Sequence, residues 1–185
     1  MPILPRQCDI HPPDLLEATN AGEAGVRWLA FYTLARREKD LMRKLVAADI
    51  PCYGPFVRRR LLSPGGRTRT SFVPLFPGYV FARVDDDQRR TALATNTVAR
   101  WLPIPDETCL TADLRAIKRL IDWDRPLTPE ARLEPGQAVR VRSGPLAGLE
   151  GEVVRRRGGE RLVVAVRFLN QGASIELEDV DLERL

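Results

Sequence analysis

A proline-containing, charged segment at residues 124–134 divides this chain into two parts with different hydrophobic patterns, and this change most restricts the fold. The segment has two prolines and four charged residues before Leu133, which is typical of a linker. Before this segment, stretches in which apolar and polar residues alternate, as in strands, take turns with stretches in which apolar residues recur at helical spacing. After the segment, only short strand-like stretches occur. The sequence therefore predicts an α+β domain over residues 27–123, a linker over 124–134 and a small all-β barrel over 135–185.

The predicted elements of the first domain alternate between strands and helices. They are strand 28–33, helix 36–49, strand 52–57, hairpin arms 56–62 and 67–73, strand 75–84, a helix from 85–87 to about 95, strand 98–102 and helix 111–123. The hairpin has its turn at Ser63-Pro64-Gly65-Gly66. This order predicts an antiparallel-rich sheet with helices on one face.

The remaining segments are an N-terminal extension and the strands of the second domain. Residues 1–26 show no sustained period, and we expect them to form a loosely ordered extension. Beyond the linker, strands separated by glycine-bearing turns are predicted at 138–142, 150–156, 161–168, 173–177 and 180–185. Short strands at this spacing are typical of a small barrel.

Composition excludes several classes of function. The chain has three cysteines without paired spacing and one histidine, His11, so neither a disulfide framework nor a zinc site is predicted. A glycine-rich phosphate-binding motif is missing from the sequence, and we expect no cofactor and no catalytic residues. Apolar runs are too short to cross a membrane and the N-terminus does not resemble a secretion signal, so the expected location is cytoplasmic.

Basic residues concentrate in the first domain. Residues 27–125 contain 19 basic and 11 acidic residues, a net charge of +8. The predicted hairpin carries five of the arginines and no acid; they are Arg58, Arg59, Arg60, Arg67 and Arg69. This pattern predicts a basic finger that can lie along a nucleic-acid backbone. A solvated edge hairpin explains the same charges.

An aromatic segment carries the strongest functional signal of the first domain. It reads Phe76-Pro77-Gly78-Tyr79-Val80-Phe81, and alternation places Trp28 and Tyr32 together on one face of the first strand. One interpretation is purely structural: the segment is a core strand, and its Pro-Gly step forms a bend. If helices cover one sheet face, however, the other aromatic set faces solvent, and such a patch typically receives an amphipathic helix. The residues alone leave both interpretations open.

Residues 27–185 resemble the NusG family of transcription elongation factors, which have an NGN domain, a linker and a KOW domain. Three motifs carry the resemblance in the family's order: residues 28–33, Phe-Pro-Gly-Tyr-Val at 76–80 and V-R-S-G-P-L-A-G-L-E-G at 141–151. The resemblance implies that the first domain binds the clamp helices of the largest subunit of bacterial RNA polymerase through an apolar pocket. The residues it assigns to that pocket are Trp28, Tyr32, Phe76, Pro77, Tyr79 and Phe81.

The resemblance also assigns roles to the hairpin and to the second domain. It places the five hairpin arginines near the upstream fork and the non-template DNA strand. For the KOW domain it implies contact with a small-subunit ribosomal protein or with the terminator Rho. The KOW motif and partner-binding residues are Gly144, Pro145, Leu146, Gly148, Leu149, Gly151, Phe168 and Leu169.

The chain resembles specialised members of the family more than the general factor. Leucines stand in the loop at 141–151 where general factors usually carry phenylalanines, and R-R-R-G-G-E-R-L-V-V at 155–164 is similar to antiterminators of surface-polysaccharide operons. The implied function is a non-enzymatic factor that binds polymerase, suppresses pausing and recruits a second partner through its KOW domain. The alternatives are a general NusG that couples polymerase to Rho or the ribosome, a KOW-type RNA- or ribosome-binding protein, and an enzyme using carboxylates such as Asp85–Asp87.

Overall fold

The computed structural model describes residues 8–17, 25–62, 66, 68–132, 134–156, 159–176 and 182–185. The chain forms two compact units, Met1–Glu107 and Thr108–Leu185. Helices and antiparallel sheets occur in both units, so the α+β fold class predicted from the sequence is confirmed. The predicted hairpin turn at 63–65 lies outside the described residues.

The first unit contains seven strands and two helices among its described residues. They are β1 (Ile10–His11), β2 (Arg27–Thr33), α1 (Glu38–Ala47), β3 (Cys52–Tyr53), β4 (Phe56–Leu62), β5 (Thr68–Pro74), β6 (Tyr79–Val84), α2 (Asp86–Ala94) and β7 (Val98–Pro103). Five strands form an antiparallel sheet in the order β1-β3-β6-β2-β7, and β4 pairs with β5 as a separate hairpin. The predicted strands and helices of this unit are found, with two exceptions. Gly54-Pro55 divides the strand expected at 52–57, because proline cannot donate to a ladder, and the strand expected at 75–84 begins only at Tyr79, after the Pro-Gly turn.

Helix α1 packs against the sheet to form the main core of the first unit. Leu41, Met42 and Leu45 recur at helical spacing on α1 and are fully buried. They join Leu29 and Phe31 of β2 in one apolar cluster. Burying a side chain of this kind is worth roughly 1.5–3 kcal/mol, so packing on the sheet holds α1 in place.

Helix α2 begins with a capping box formed by Asp85 and Gln88. The Gln88 backbone N–H donates to Oδ1 of Asp85 at 2.7 Å, and the Asp85 backbone N–H donates to Oε1 of Gln88 at 3.2 Å. These two bonds satisfy donors that the first helical turn would otherwise leave without partners.

The substitution Asp85→Ala is expected to lower the free energy of unfolding by about 1 kcal/mol, because the Gln88 N–H loses its acceptor. Urea unfolding followed by circular dichroism measures the change. Asp87→Ala is the matched control, since this exposed carboxylate pairs with Arg90 at the surface, and its effect should stay below about 0.5 kcal/mol. Equal losses in the two variants would contradict the prediction.

Two residues of the N-terminal extension pair with the sheet, which differs from the loose order expected for this part of the extension. Ile10 and His11 of β1 lie opposite Tyr53 and Cys52 of β3, so β1 forms the edge of the sheet beside β3. Ile10, Leu15 and Leu16 are buried. A two-residue edge strand is too short to show a period in the sequence, which explains why the pattern did not predict it.

The second unit contains a helix, six strands and a short 3₁₀ helix among its described residues. They are α3 (Glu107–Asp122, all but its first residue in this unit), β8 (Thr128–Glu130), β9 (Gln137–Val141), β10 (Glu150–Arg156), β11 (Gly159–Val166), the 3₁₀ helix (Arg167–Leu169), β12 (Gln171–Glu176) and β13 (Leu182–Arg184). The strands form an antiparallel sheet in the order β13-β9-β10-β11-β12-β8. Where a barrel was expected, the described strands form a six-stranded sheet, and the pairings among the described residues do not join β13 to β8.

The boundary between the units differs from the one expected from the sequence. Helix α3 groups with the C-terminal sheet, whereas the pattern placed the helix at 111–123 in the first domain. The expected linker at 124–134 contains β8, where Pro129 lies opposite Ala173 of β12. Proline is tolerated on an edge strand, so the residue type that suggested a linker is compatible with a strand at the sheet edge.

Candidate partner-binding surfaces

The six residues predicted to bind polymerase separate into a buried and an accessible group. Trp28, Phe76 and Phe81 are 3%, 1% and 0% exposed, so they belong to the protein's own interior. Tyr32 and Tyr79 are half-buried, and Pro77 is exposed. Of the six predicted residues, those near the Pro-Gly turn are therefore accessible and the others are covered, so the surface available to a partner is smaller than alternation alone predicts.

The accessible aromatic residues form a surface that we call the tyrosine patch, consisting of Tyr32, Leu34, Pro77 and Tyr79. Tyr32 and Tyr79 are opposite each other on β2 and β6, and their ring centroids lie 5.2 Å apart at an interplanar angle of 67°. This edge-to-face arrangement is a favourable one for aromatic pairs. Leu34, two residues beyond Tyr32, is 48% exposed.

The turn before Tyr79 holds the patch in a defined geometry. Gly78 has a φ of +88°, and a Cβ added there would lie 2.9 Å from Cε2 of Tyr32. Its N–H donates to Oε1 of the buried Glu38 at 2.8 Å, and its carbonyl accepts from the Thr33 N–H at 2.8 Å. Only glycine fits both the backbone angle and the close approach of the ring, so the turn orders Tyr79 before any partner arrives.

Arg100 adds a positive charge to the edge of the patch. It lies opposite Tyr32 on β7, and its guanidinium carbon is 4.9 Å from the centroid of the Tyr32 ring. A cation over an aromatic face is attracted by the ring quadrupole; the cation is most often arginine, whose planar guanidinium can also stack on the ring. The arrangement joins two tyrosine rings and an exposed guanidinium on adjacent strands.

Three cations in or beside helix α1 share one acid of the same helix. Asp40 accepts hydrogen bonds from Arg43 and Arg37 at 3.2 and 3.1 Å, and Lys44 lies 3.4 Å away. The hydrogen bond from Arg43 is the largest effect that holds the pKa of Asp40 below its ordinary value, against the opposing effect of burial; Lys44 and Arg37 act in the same direction. Asp40 is therefore ionised at neutral pH and offsets these charges locally.

The hairpin presents exposed arginines on its first strand. Arg58, Arg59 and Arg60 are consecutive on β4 and exposed, so their side chains alternate between the two faces. Arg67 lies outside the described residues, and of Arg69 only the backbone pairing is described. The residues opposite the three β4 arginines are Phe72, Ser71 and Thr70. The positive charge is thus distributed over both faces of the hairpin.

The glycine-rich loop between β9 and β10 is held by its buried leucines. Gly144 and Gly148 have φ angles of +84° and +79°, a region that glycine enters without steric cost. Leu146 and Leu149 are buried, while Pro145 is exposed. The two leucines were predicted to bind a partner, but in this structure their side chains are buried within their own unit and hold the loop in place.

The other residues of the predicted KOW set lie on β10 and on the 3₁₀ helix. Gly151 lies where β11 comes closest, since a Cβ there would be 2.6 Å from the carbonyl oxygen of Val163. Phe168 and Leu169 are half-buried. With Pro145 they are the accessible non-glycine members of the set.

Helix α3 contacts both of these C-terminal segments. The Asp113 carboxylate accepts from the backbone N–H, Nε and Nη2 of Arg167 at 2.8, 3.1 and 2.6 Å. Nη2 of Arg119 donates to the carbonyl oxygen of Ala147 at 2.7 Å. These hydrogen bonds attach the helix to the 3₁₀ helix and to the glycine-rich loop of the same unit.

Comparison with known proteins identifies the family. The family model described as "Transcription termination factor nusG" matches residues 26–119. The chain belongs to the NusG family. The "Transcription termination/antitermination protein NusG" of Pseudomonas aeruginosa is 27% identical over 179 residues, which cover 86% of this chain and 98% of that protein. The protein of the same name from Escherichia coli strain K12 is 31% identical over 132 residues, 65% of this chain and 70% of that protein.

The NusG relatives are transcription factors rather than enzymes, and this protein is a NusG-family transcription termination/antitermination factor. The solved structure titled "Domain interaction in Thermotoga maritima NusG" aligns with a TM-score of 0.47 and 19% identity, over 86% of this chain and 97% of that chain. The NusG match to residue 119 includes most of α3. None of the helices in the described part of the chain is long and apolar enough to cross a membrane.

Sequence reasoning did not identify Leu34, Glu38, Arg100, Asp113 or Arg167 as site residues. The position of Asp113 carried a usable signal, because this acid occurs at helical spacing among the apolar residues of α3 and therefore falls on the buried side of the helix. Arg100 carried no such signal: its contact with Tyr32 depends on which strand pairs with β2 and in which register.

Proposed function

We propose that this NusG-family protein binds bacterial RNA polymerase through the tyrosine patch, at the clamp helices of the largest subunit. The observation that carries the proposal is the accessible Tyr32–Tyr79 pair on a turn that Gly78 and Glu38 hold in place. Tyrosine supplies a large apolar contact area with a polar tip. A rigid surface also loses little conformational entropy when it binds.

The buried aromatic residues have a supporting role in this proposal. Trp28, Phe76 and Phe81 pack inside the unit and maintain the strands that carry the two tyrosines. Substituting them would damage the core. Tests of binding should therefore use Tyr32 and Tyr79.

The hairpin and the second unit add two further contacts to the proposal. Arg58, Arg59 and Arg60 grip the non-template DNA strand, a contact whose strength falls with rising salt. Pro145, Phe168 and Leu169 belong to the surface that receives a small-subunit ribosomal protein or Rho. Because the second unit is tethered, it meets its partner at a raised effective concentration.

The proposed consequence of polymerase binding is suppression of pausing. A protein that binds the closed-clamp state more tightly than the open state shifts the population toward the closed one, by its differential binding free energy. Such a factor needs no catalytic residue. Its specialisation for particular operons, or a general role in coupling polymerase to Rho or the ribosome, depends on the partner of the second unit.

We expect the double substitution Tyr32→Ala/Tyr79→Ala to weaken binding to purified bacterial RNA polymerase at least about 30-fold, since central interface aromatics cost about 2 kcal/mol or more when truncated. Fluorescence anisotropy with labelled protein measures the dissociation constant. Tyr32→Phe/Tyr79→Phe retains both rings and should bind within a few-fold of wild type. Circular dichroism melting shows whether each variant is folded.

Wild-type affinity in a folded double-alanine variant would contradict the proposal. The exposed hairpin arginines favour one second candidate, an RNA-binding protein. That candidate predicts tight binding to structured RNA without polymerase, lost when Arg58, Arg59 and Arg60 are replaced by glutamine and unaffected by the tyrosine substitutions.

A further inference from the structure

We infer that the partner of the tyrosine patch carries a carboxylate and that Arg100, at the edge of the patch, binds this carboxylate. The inference rests on the proposed function and gives its partner a chemistry: an amphipathic helix that places an aspartate or glutamate beside the apolar side chains it packs on Tyr32 and Tyr79. Arg100 then determines specificity, while the tyrosines supply most of the contact area.

Among the described residues, Arg100 lacks the intramolecular carboxylate that three cations at helix α1 share. Arg37, Arg43 and Lys44 all lie against Asp40. Arg100 is exposed and lies over the ring of Tyr32, and among the described residues no carboxylate forms an ion pair with it. A surface guanidinium without an internal acid is free to receive one from outside.

The stack on Tyr32 prepares this guanidinium for a carboxylate. The distance of 4.9 Å from the guanidinium carbon to the ring centroid is within the range of a cation–π contact. Such a contact limits the conformations of the arginine side chain while leaving its N–H donors available to pair with two carboxylate oxygens. Arg100 also extends from a strand paired with β2, so its Cα is as well positioned as that of Tyr32.

The remainder of the patch favours a protein helix over a nucleic acid. Leu34 and Pro77 are exposed apolar residues on either side of the hydrogen bond between the Thr33 N–H and the Gly78 carbonyl. Exposed apolar side chains beside a cation complement a helix with an apolar stripe and an acid at its edge. A phosphate backbone is contacted by clusters of cations, of the kind present on the hairpin.

The test compares polymerase affinity across substitutions at position 100 as a function of salt concentration. Arg100→Gln is expected to raise the dissociation constant about tenfold and to flatten its salt dependence. Arg100→Glu should weaken binding further, because it sets like charges against each other, and Arg100→Lys should fall between wild type and Arg100→Gln, because it retains the charge without the planar fork. Arg90→Gln, at an exposed arginine of α2 paired with Asp87, is the control and should bind as wild type.

The outcomes separate this inference from the proposed function. If Tyr32→Ala/Tyr79→Ala abolishes binding while folded Arg100→Gln and Arg100→Glu bind as wild type, the carboxylate contact is wrong and the polymerase proposal stands. If the double-tyrosine variant binds as wild type, the proposed function itself fails. If Arg100→Gln weakens binding of the protein alone to a single-stranded oligonucleotide but not to polymerase, Arg100 contacts nucleic acid and the inference is overturned.

Discussion

Replacing Arg167 by alanine is expected to lower the free energy of unfolding of the second unit by about 1.5–3 kcal/mol, the range for hydrogen bonds to a charged group, because Asp113 is buried while the Arg167 side chain is largely exposed. The Asp113 side chain is only 6% exposed, and Arg167 donates to it from Nε and Nη2 at 3.1 and 2.6 Å. Alanine keeps the backbone N–H bond to Asp113 but removes the cation, so the carboxylate stays buried without its countercharge. Urea unfolding, with hydrogen exchange to localise the loss to the second unit, measures this.

Two further variants show how much of the loss in the free energy of unfolding comes from the buried Asp113 charge and how much would follow from breaking any surface ion pair. Asp113→Asn leaves Arg167 exposed to water and still offers an oxygen to the Arg167 N–H, so it should cost less than Arg167→Ala. Arg155→Ala breaks an exposed pair with Glu160 and should cost less than about 0.5 kcal/mol. A loss for Arg167→Ala no larger than that for Arg155→Ala would show that the α3 contact contributes little.

The substitution Gly151→Ala is expected to destabilise the second unit by about 2–3 kcal/mol through overpacking. The added methyl group would lie 2.6 Å from the carbonyl oxygen of Val163 and 2.9 Å from Cδ1 of Leu162. The leucine side chain can move, but the carbonyl belongs to the β10–β11 ladder and moves only if the strands separate. Chemical denaturation followed by circular dichroism gives the magnitude.

Gly144→Ala is the control, because it replaces a glycine whose added methyl group would have no close neighbour. Nothing lies within 4 Å of the Cβ position at Gly144, but its φ is +84°, so the expected cost is the backbone strain of about 1–2 kcal/mol. A larger loss at Gly144 than at Gly151 would mean that backbone angle, and not strand spacing, governs this motif.

The elements with clear periods could be predicted from the sequence, while those that depend on tertiary pairing could not. The helix expected at 36–49 and the strand expected at 28–33 agree with α1 and β2. In the helix, apolar residues recur at helical spacing over several turns, and in the strand the alternation continues over several residues, so both patterns can be recognised in the sequence. Strand β8 and its Pro129 appear as a linker in the sequence, since the pairing with β12 that makes them a strand comes from residues far along the chain.

The same limit applies to the candidate site. The alternation of residues along β2 correctly placed Tyr32 and Phe31 on opposite faces of the sheet. It predicts only the face on which a residue lies. Whether that side is covered depends on the rest of the fold, which buries Trp28 and Phe81 while Tyr79 stays accessible. The assignment of these residues to polymerase binding stays a prediction, now concentrated on Tyr32, Pro77 and Tyr79.

The Gly78 turn connects partner binding to the lifetime of the protein. The patch depends on the hydrogen bond from Gly78 to Glu38 at the start of α1, so it is absent from an unfolded chain. A partner that binds it therefore stabilises the folded state, by about 2.7 kcal/mol when its free concentration is about 100 times the dissociation constant. Proteases act on the unfolded fraction, so we expect them to remove unbound molecules first and the cellular amount of this factor to follow the amount of its partner.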